Sequence, residues 1–475
     1  MKAIYGCPTH KEGYVVRTQE IATPMISGTR EVSHSYAAHV NPQWVGVLDV
    51  LGMNVGYARC LGAELETEEG RTILDALSGY CVYNTGHNHP AILAQLTEEL
   101  HRLGPSMLQS HVPALAADLG KTLTRRAGGR LSKAYFTSSG SEGVDTVIKF
   151  SRAHTGRAGV LYAQGSFHGL TTGPLSVMGN PWWRDGFGPL LPGTEAVPFG
   201  DLAQLEQRLA SREFAALLLE PVQAEAGIVE PPAGYLAEAQ RLCRRYDTLF
   251  ALDEVQTGMH RTGPFLAAHH DGVEPDMVVL AKAMSGGLIP CGAVLMSDAV
   301  HASVYSSLSR AFIHASTFGE CSLAMRAGLA TLQVMDEERL GERAARLGER
   351  LRGMLAQRLE GFEMVQAVRG LGMLNGVVFR RPETFWMRAF FDTFSKVHAG
   401  LFGQMMVSEL FRKESVLTQM CGNNFMVLKV APPLVASEEQ LDRIVAAVER
   451  VVQRVHAGPG FWTTSLGMVR RAAGI

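Results

Sequence analysis

Apolar residues along this chain keep changing their spacing, and the changes mark out its elements. Ile92, Leu93, Leu96 and Leu100 recur at helical spacing across residues 90–103, and residues 115–123 repeat that period. Short apolar runs follow at 133–136, 159–163, 215–219, 248–252, 277–280 and 293–296, separated mostly by helical or loop stretches long enough for a crossover. Strand alternating with helix in this way predicts an α/β fold around a mainly parallel sheet. Ahead of it, residues 64–72 (ELETEEGRT) read as a hairpin closed by Gly70. Beyond about residue 335 the period becomes that of one long amphipathic helix, with Leu340, Ala344, Leu347, Leu351, Leu355 and Leu359 on one face. A smaller α+β region follows. Its last helix begins at residues 437–440 (SEEQ), a capping-box sequence, and runs on through Ile444, Val448 and Val451.

Composition narrows the classes of function. With 46% hydrophobic residues, 19% charged residues and 50 glycines, the 475-residue chain is of ordinary globular type and long enough for two or three domains. No internal repeat or low-complexity linker interrupts it. A net charge of -2 and the absence of a dense Lys/Arg tract argue against nucleic acid and anionic membranes, leaving small metabolites as the expected partners. Seven cysteines are scattered without a CxxC pair or a His/Cys cluster at ligand spacing, so no metal is expected and the thiols fit a reducing cytosol. The first residues (MKAIYGCPTHKEGY) lack the apolar core of a signal peptide, and no run of about 18 uncharged apolar residues occurs. A cytoplasmic protein without a membrane span is expected.

Candidate chemistry centres on residues 276–292 (DMVVLAKAMSGGLIPCG). The apolar run to Ala281 reads as a strand and the Gly286-Gly287 pair as a break, which leaves Lys282 at a strand end facing a pocket. Apolar surroundings lower a lysine's pKa and free its amine for attack on a carbonyl. Upstream by 29 residues, about one strand-helix-strand unit, Asp253 and Glu254 end another buried run (LFALDEVQTGMHRTG). Asp253 and Lys282 are therefore expected at the carboxyl ends of adjacent strands, across one crevice. Residues 137–150 (TSSGSEGVDTVIKF) turn from strand to helix at Gly140-Ser141, which serves either as an anion site or as an ordinary helix cap. Residues 166–169 (SFHG) form a loop read first as packing and second as a cofactor contact, and residues 314–320 (HASTFGE) form a polar loop whose hydroxyls either bind an anion or cap the next helix.

Taken in order, the motifs NTGHNHP, SSGSE, FHG, LLPG, LEPVQAEAG, LDEVQTGMHRTG, AKAMSGG, STFGE and APPL resemble the class III aminotransferases, the ornithine and putrescine group of pyridoxal phosphate enzymes of fold type I. The resemblance spans about residues 41–454, and LLPGTEAVPFG with LDEVQTGMHRTG is most similar to the putrescine branch. It implies a large cofactor-binding domain at 78–335, with a mainly parallel seven-stranded sheet between helices, and a smaller α+β domain formed by 1–77 and 336–475. It implies that Lys282 holds pyridoxal 5'-phosphate as a Schiff base and moves the substrate proton. Asp253 would bind the pyridine nitrogen, Gln256 the ring's 3-oxygen, and Phe167 and Val255 the two ring faces. Gly140 and Ser141 would bind the phosphate, with Ser139, His168 and Glu220 as further contacts. Thr317 would reach the phosphate from a second subunit, so a homodimer with shared sites, or a dimer of dimers, is implied.

The implied reaction is a two-stage transamination. An amine donor (the terminal amine of a diamine, an omega-amino acid or a long apolar amine) passes its amino group to a keto acid or aldehyde. An aminomutase or a decarboxylating relative would use the same cofactor residues, and formation of a new amino acid from an amine and a keto acid separates the readings. A non-catalytic binding protein is opposed by the joint presence of Lys282, Asp253 and Gln256. Tyr80, Glu225 and Lys429 are the implied substrate contacts. Lys429 stands where relatives most often carry Arg, and a lysine lacks the planar fork that grips a carboxylate. It is read equally as a substrate contact and as a structural partner of Glu225. Residues 380–411, rich in Phe, Trp and Met, are read first as a packed helix and second as an apolar wall for a long-chain substrate. The tail at 458–475, with Phe461, Trp462 and Leu466, is expected either to dock or to fray.

Overall fold

The computed structural model describes residues 28–108 and 110–463. The amino-terminal stretch without a signal core, Cys7 and Leu466 lie outside the described residues. Strands β1 (Tyr57–Leu61), β2 (Glu64–Thr67) and β3 (Thr72–Asp75) form an antiparallel meander, with β2 and β3 joined as the hairpin read from Gly70. Gly70 supplies the positive φ of 78° that the tight connection needs.

Seven strands then make the main sheet: β4 (Leu131–Thr137), β5 (Gly159–Ala163), β6 (Thr194–Val197), β7 (Phe214–Leu219), β8 (Leu249–Asp253), β9 (Met277–Leu280) and β10 (Gly292–Ser297), in the order β4-β10-β9-β8-β7-β5-β6. The pairs from β9 to β6 are parallel, whereas β10 runs antiparallel to both β4 and β9. Every residue of β7, β8, β9 and β10 is buried, as a sheet covered on both faces requires. Helix Gly140–Thr155 covers one face, where Val144, Val147 and Phe150 pack with Val160, Leu218 and Val279. Helices Ala114–Ala127, Tyr235–Arg245 and Ser322–Glu337 contribute to the core on the other.

The long helix after the sheet is Leu340–Leu359, and all six residues read as its apolar face are buried. Strands β11 (Val365–Leu371), β12 (Leu374–Phe379), β13 (Val416–Leu417), β14 (Met420–Cys421) and β15 (Asn424–Val430) follow. Four of them form a sheet in the order β11-β12-β15-β14, while β13 pairs with β3 and so ties the end of the chain to its beginning. The last helix, Glu438–His456, has the complete capping box of Ser437 and Gln440.

Residues 380–411 fold as parts of two helices, Phe385–Val397 and Leu401–Glu414. The buried rings of Phe394 and Phe402 stack on Trp462 at centroid distances of 5.9 and 5.8 Å, so the described part of the tail is docked. Trp462 Nε1 donates to the Val455 carbonyl at 3.0 Å. This is a packed aromatic core, in line with the first of the two readings. Among the described residues, no helix is long and apolar enough to cross a membrane.

Candidate active site

Lys282 follows β9 directly and is held at φ 49°, in the left-handed region that costs a side-chain-bearing residue about 1–2 kcal/mol. The turn is forced by what comes next: a single 3₁₀ turn, Lys282–Ser285, then Gly286 and Gly287 at φ 62° and 80°. Burial lowers the Lys282 pKa, and among the described residues no carboxylate forms a salt bridge with it. Desolvation thus favours the neutral, nucleophilic form of its amine.

Asp253 ends β8, the parallel neighbour of β9, and pairs in register with Val279. The expected crevice between strand ends is present. Asp253 Oδ2 lies 2.8 Å from His168 Nδ1, and Asp253 Oδ1 accepts from the Val255 N–H at 3.0 Å. His168 is fully buried and its Nε2 has no partner among the described residues. Glu254, the other half of the acidic pair, turns away to accept from Thr257 Oγ1 and the Ala267 and Ala268 N–H groups. Burial pushes the Glu254 carboxyl up to about 7.

A cavity of about 550 Å³ opens here, within the usual size of small-ligand sites. It is lined by Ser139, Gly140, Ser141, Phe167, His168, Glu220, Asp253, Val255, Gln256 and Lys282, among others. Ser139 caps helix Gly140–Thr155 by accepting from the Glu142 N–H at 3.2 Å, and the first helical bond runs from Gly143 N–H to Ser139 O. The N–H groups of Gly140 and Ser141 precede that bond and open on the cavity. Gly140 must stay small, since a Cβ there would lie 2.9 Å from Val255 Cγ2. Glu220 holds the Phe167 loop by accepting from its N–H at 2.9 Å. Burial, reinforced by Asp253, pushes the Glu220 carboxyl up.

Glu225, Lys429 and Tyr80, the expected substrate contacts, form a cluster of their own. Lys429, on β15, places Nζ 2.5 Å from Glu225 Oε1, and Gln256 Nε2 donates to that same oxygen at 3.0 Å. The Gly422 N–H donates to Glu225 Oε2 at 2.7 Å. Burial alone would raise the Glu225 carboxyl, but Lys429 and these hydrogen bonds outweigh it and hold it at about 2. Burial likewise opposes the Lys429 charge, and Glu225 overcomes it and pushes the ammonium up. The Tyr80 ring caps the pair, its centroid 5.0 Å from Lys429 Nζ. Lys429 is therefore a partner of Glu225 in the described state. Gln256 links the cluster to the main cavity.

Thr317 is not brought to Lys282 within one chain. It is exposed and lines a separate concavity of about 820 Å³. No residue of 380–411 lines the Lys282 cavity, so an apolar substrate wall is not found there. One aromatic neighbour escaped the sequence reading. Trp183 packs edge-on against Phe167 at 5.4 Å and donates through Nε1 to Asn423 Oδ1 at 2.7 Å. Only the unusual Trp182-Trp183 pair in a loop hinted at it.

This set of groups fits pyridoxal phosphate. Lys282 offers an amine to its aldehyde, Asp253 offers an oriented carboxylate to its ring nitrogen, and the helix start offers N–H donors to its phosphate. The buried, unpaired His168 Nε2 marks the same wall as built for a polar guest.

Comparison with known proteins agrees. The aminotransferase class-III family matches residues 49–452. Aminotransferase PigE of Serratia sp. (strain ATCC 39006) is 33% identical over 447 residues, which cover 88% of this chain and 52% of PigE. The chain thus spans about half the length of that relative. Ornithine aminotransferase from Toxoplasma gondii ME49 superposes with a TM-score of 0.80 at 25% identity, over 91% of this chain and 97% of that one. An amine transaminase from an uncultivated Pseudomonas species superposes with a TM-score of 0.76 at 27% identity, over 84% and 95% of the two chains.

Proposed function

This chain belongs to the class III aminotransferases, enzymes of the pyridoxal phosphate type, and on that premise we propose that it transfers the terminal amino group of an amine to a keto acid or aldehyde. The observation that carries the proposal is Lys282, a desolvated amine unpaired with any described carboxylate, facing one cavity with Asp253 and a helix start. Pyridoxal phosphate, when bound, supplies an electron sink for the negative charge that builds on the substrate carbon. The chain's own residues supply the rest. Lys282 Nζ would take the proton from the carbon bearing the substrate nitrogen and deliver it to the C4′ carbon of the cofactor, so that the donor leaves as a carbonyl compound. Asp253, fixed by His168 and the Val255 N–H, keeps a proton at the pyridine nitrogen. Phe167 and Val255 would bound the two ring faces, Gly140 and Ser141 would receive the phosphate, and Gln256 would serve the ring oxygen. Ser139, His168 and Glu220 support these contacts.

Support for an amine without a carboxylate at its reacting end comes from charge. Lys282 is the one lysine or arginine among the described residues lining the cavity, and Lys429 is occupied by Glu225. A terminal diamine, an omega-amino acid or an apolar amine needs no cation at that end. An acceptor keto acid needs Lys429 to leave Glu225, whereas an aldehyde does not. The putrescine-like motifs favour the diamine among these donors. A panel of donors read against pyruvate, 2-oxoglutarate and an aldehyde tests the reading, and exclusive use of α-amino acids would refute it.

We further propose a homodimer with shared sites. Phe312, Ile313 and Phe318 are exposed around Thr317, an apolar rim that a second subunit would cover. We propose the division into a large domain at 78–335 and a small one from 1–77 and 336–475, and the separate main and carboxyl-terminal sheets of the described residues support it. Free thiols at all six described cysteines support a cytoplasmic setting.

A further inference from the structure

Helix Gly140–Thr155 carries the phosphate cradle in its first turn, and the same turn holds the loop at 314–320. Glu142 Oε2 accepts two hydrogen bonds: from the Ser138 backbone N–H at 3.0 Å, just before the cradle, and from Ser316 Oγ at 3.1 Å, just before Thr317. One turn along, His314 Nε2 lies 3.1 Å from Thr146 Oγ1, and Lys149 Nζ lies 2.7 Å from His314 Nδ1. The lysine donates, so Nδ1 accepts and Nε2 bears the ring proton that goes to Thr146. Gly319 presses the loop against β4, since a Cβ there would overlap the Phe136 carbonyl. The loop is thus seated on the helix whose start faces the Lys282 cavity, yet its Thr317 lies outside that cavity.

We propose that Glu142 is a positioning residue that couples the two cofactor sites of the dimer, tying one subunit's phosphate cradle to the loop that serves its partner's phosphate. The inference rests on the shared-site dimer proposed above. Phosphate held at Gly140 and Ser141 fixes the first helical turn and Glu142 with it. Glu142 in turn fixes Ser316 and the adjacent Thr317 for the other site. Linkage makes the effect reciprocal.

Hybrid dimers test this. Each carries Lys282→Ala in one subunit, so that only the other retains pyridoxal phosphate firmly, and release is followed by loss of visible absorbance after dilution into a carbonyl trap. Glu142→Ala is placed either in the retaining subunit or in its mate. Release should quicken about 5-fold or more in both arrangements, and Glu142→Gln, which keeps the acceptor oxygen, should restore the slow rate. A residue local to the cradle would act only from the retaining subunit, and one local to the loop only from the mate. Acceleration in one arrangement or in neither overturns the coupling. Should Glu142→Ala fail to assemble, Ser316→Ala carries the test, and unchanged release when it sits in the mate overturns the proposal. A wild-type chain that retains the cofactor as a monomer overturns the coupling and leaves the transaminase reading intact. A wild type that retains no cofactor overturns both.

Discussion

Lys429 Nζ and Glu225 Oε1 form an ion pair 2.5 Å apart with both side chains shut away from solvent. Removing one member leaves the other charge buried and unpaired, at a cost of about 3–5 kcal/mol. Glu225→Ala is therefore expected to lower the unfolding free energy by roughly that amount in a urea titration. Replacing both partners at once, Glu225→Gln with Lys429→Met, should recover most of the loss. A single substitution that costs less than about 1 kcal/mol would show the pair to be solvated.

Under the proposed function, the same position bears on the choice of acceptor. Lys429→Arg provides a planar fork for a carboxylate. It is expected to raise kcat/KM for 2-oxoglutarate relative to an aldehyde acceptor by about 10-fold, the weight of one added charge-assisted hydrogen bond. An unchanged ratio would place the acceptor carboxylate elsewhere.

Lys282 pairs chemistry with backbone strain. Lys282→Ala and Lys282→Gly should both abolish multiple turnover. The glycine variant should be the more stable of the two by about 1 kcal/mol in thermal or urea unfolding, because only glycine adopts φ 49° without penalty. Equal stability would mean that the left-handed conformation is not enforced.

Burial also makes Lys282 a pH reporter. Its pKa is lowered in the folded chain, so between the folded value and the ordinary 10.5 the unfolded chain binds more protons. Stability of the cofactor-free protein then rises with pH through that window, and the full penalty is felt below the folded pKa. The stability gained by Lys282→Ala over wild type should accordingly shrink as pH is raised from about 7 to about 10. A difference independent of pH would show that the amine keeps its ordinary pKa in the folded chain.

Much of this was legible in the sequence because buried strands read as unbroken apolar runs and the key side chains end two of them. Asp253 and Lys282 each follow such a run, and parallel pairing of β8 with β9 puts them on one edge. Strand β6 was not legible: in Thr194–Val197 only Val197 is buried, so no run appears. The antiparallel turn of β10 was missed although only residues 281–291 separate it from β9, which is short for a parallel crossover. The meeting of Lys429 with Glu225, 204 positions apart, leaves no local pattern and was anticipated only through the family resemblance, whereas the bond from Trp183 to Asn423 depends on folding of distant segments and was not anticipated.

Asp253 gives a separate test of the electron-sink arrangement. Asp253→Asn keeps the volume and loses the negative charge proposed to hold a proton at the pyridine nitrogen. A fall in kcat of roughly 10²–10⁴ with little change in cofactor content is expected. Retention of most of the activity would move the role to another group.

The central claim is that Lys282 holds the cofactor and exchanges it with an amine. Its most direct measurement is the absorption spectrum of the protein loaded with pyridoxal phosphate, recorded before and after adding a terminal diamine and then an acceptor. A band near about 410–430 nm should fade with the diamine and return with the keto acid or aldehyde, a cycle that the cofactor's chemistry dictates. The Lys282→Ala protein should fail to complete it. A wild-type band indifferent to every amine tried, or a full repeated cycle in Lys282→Ala, would contradict the assignment.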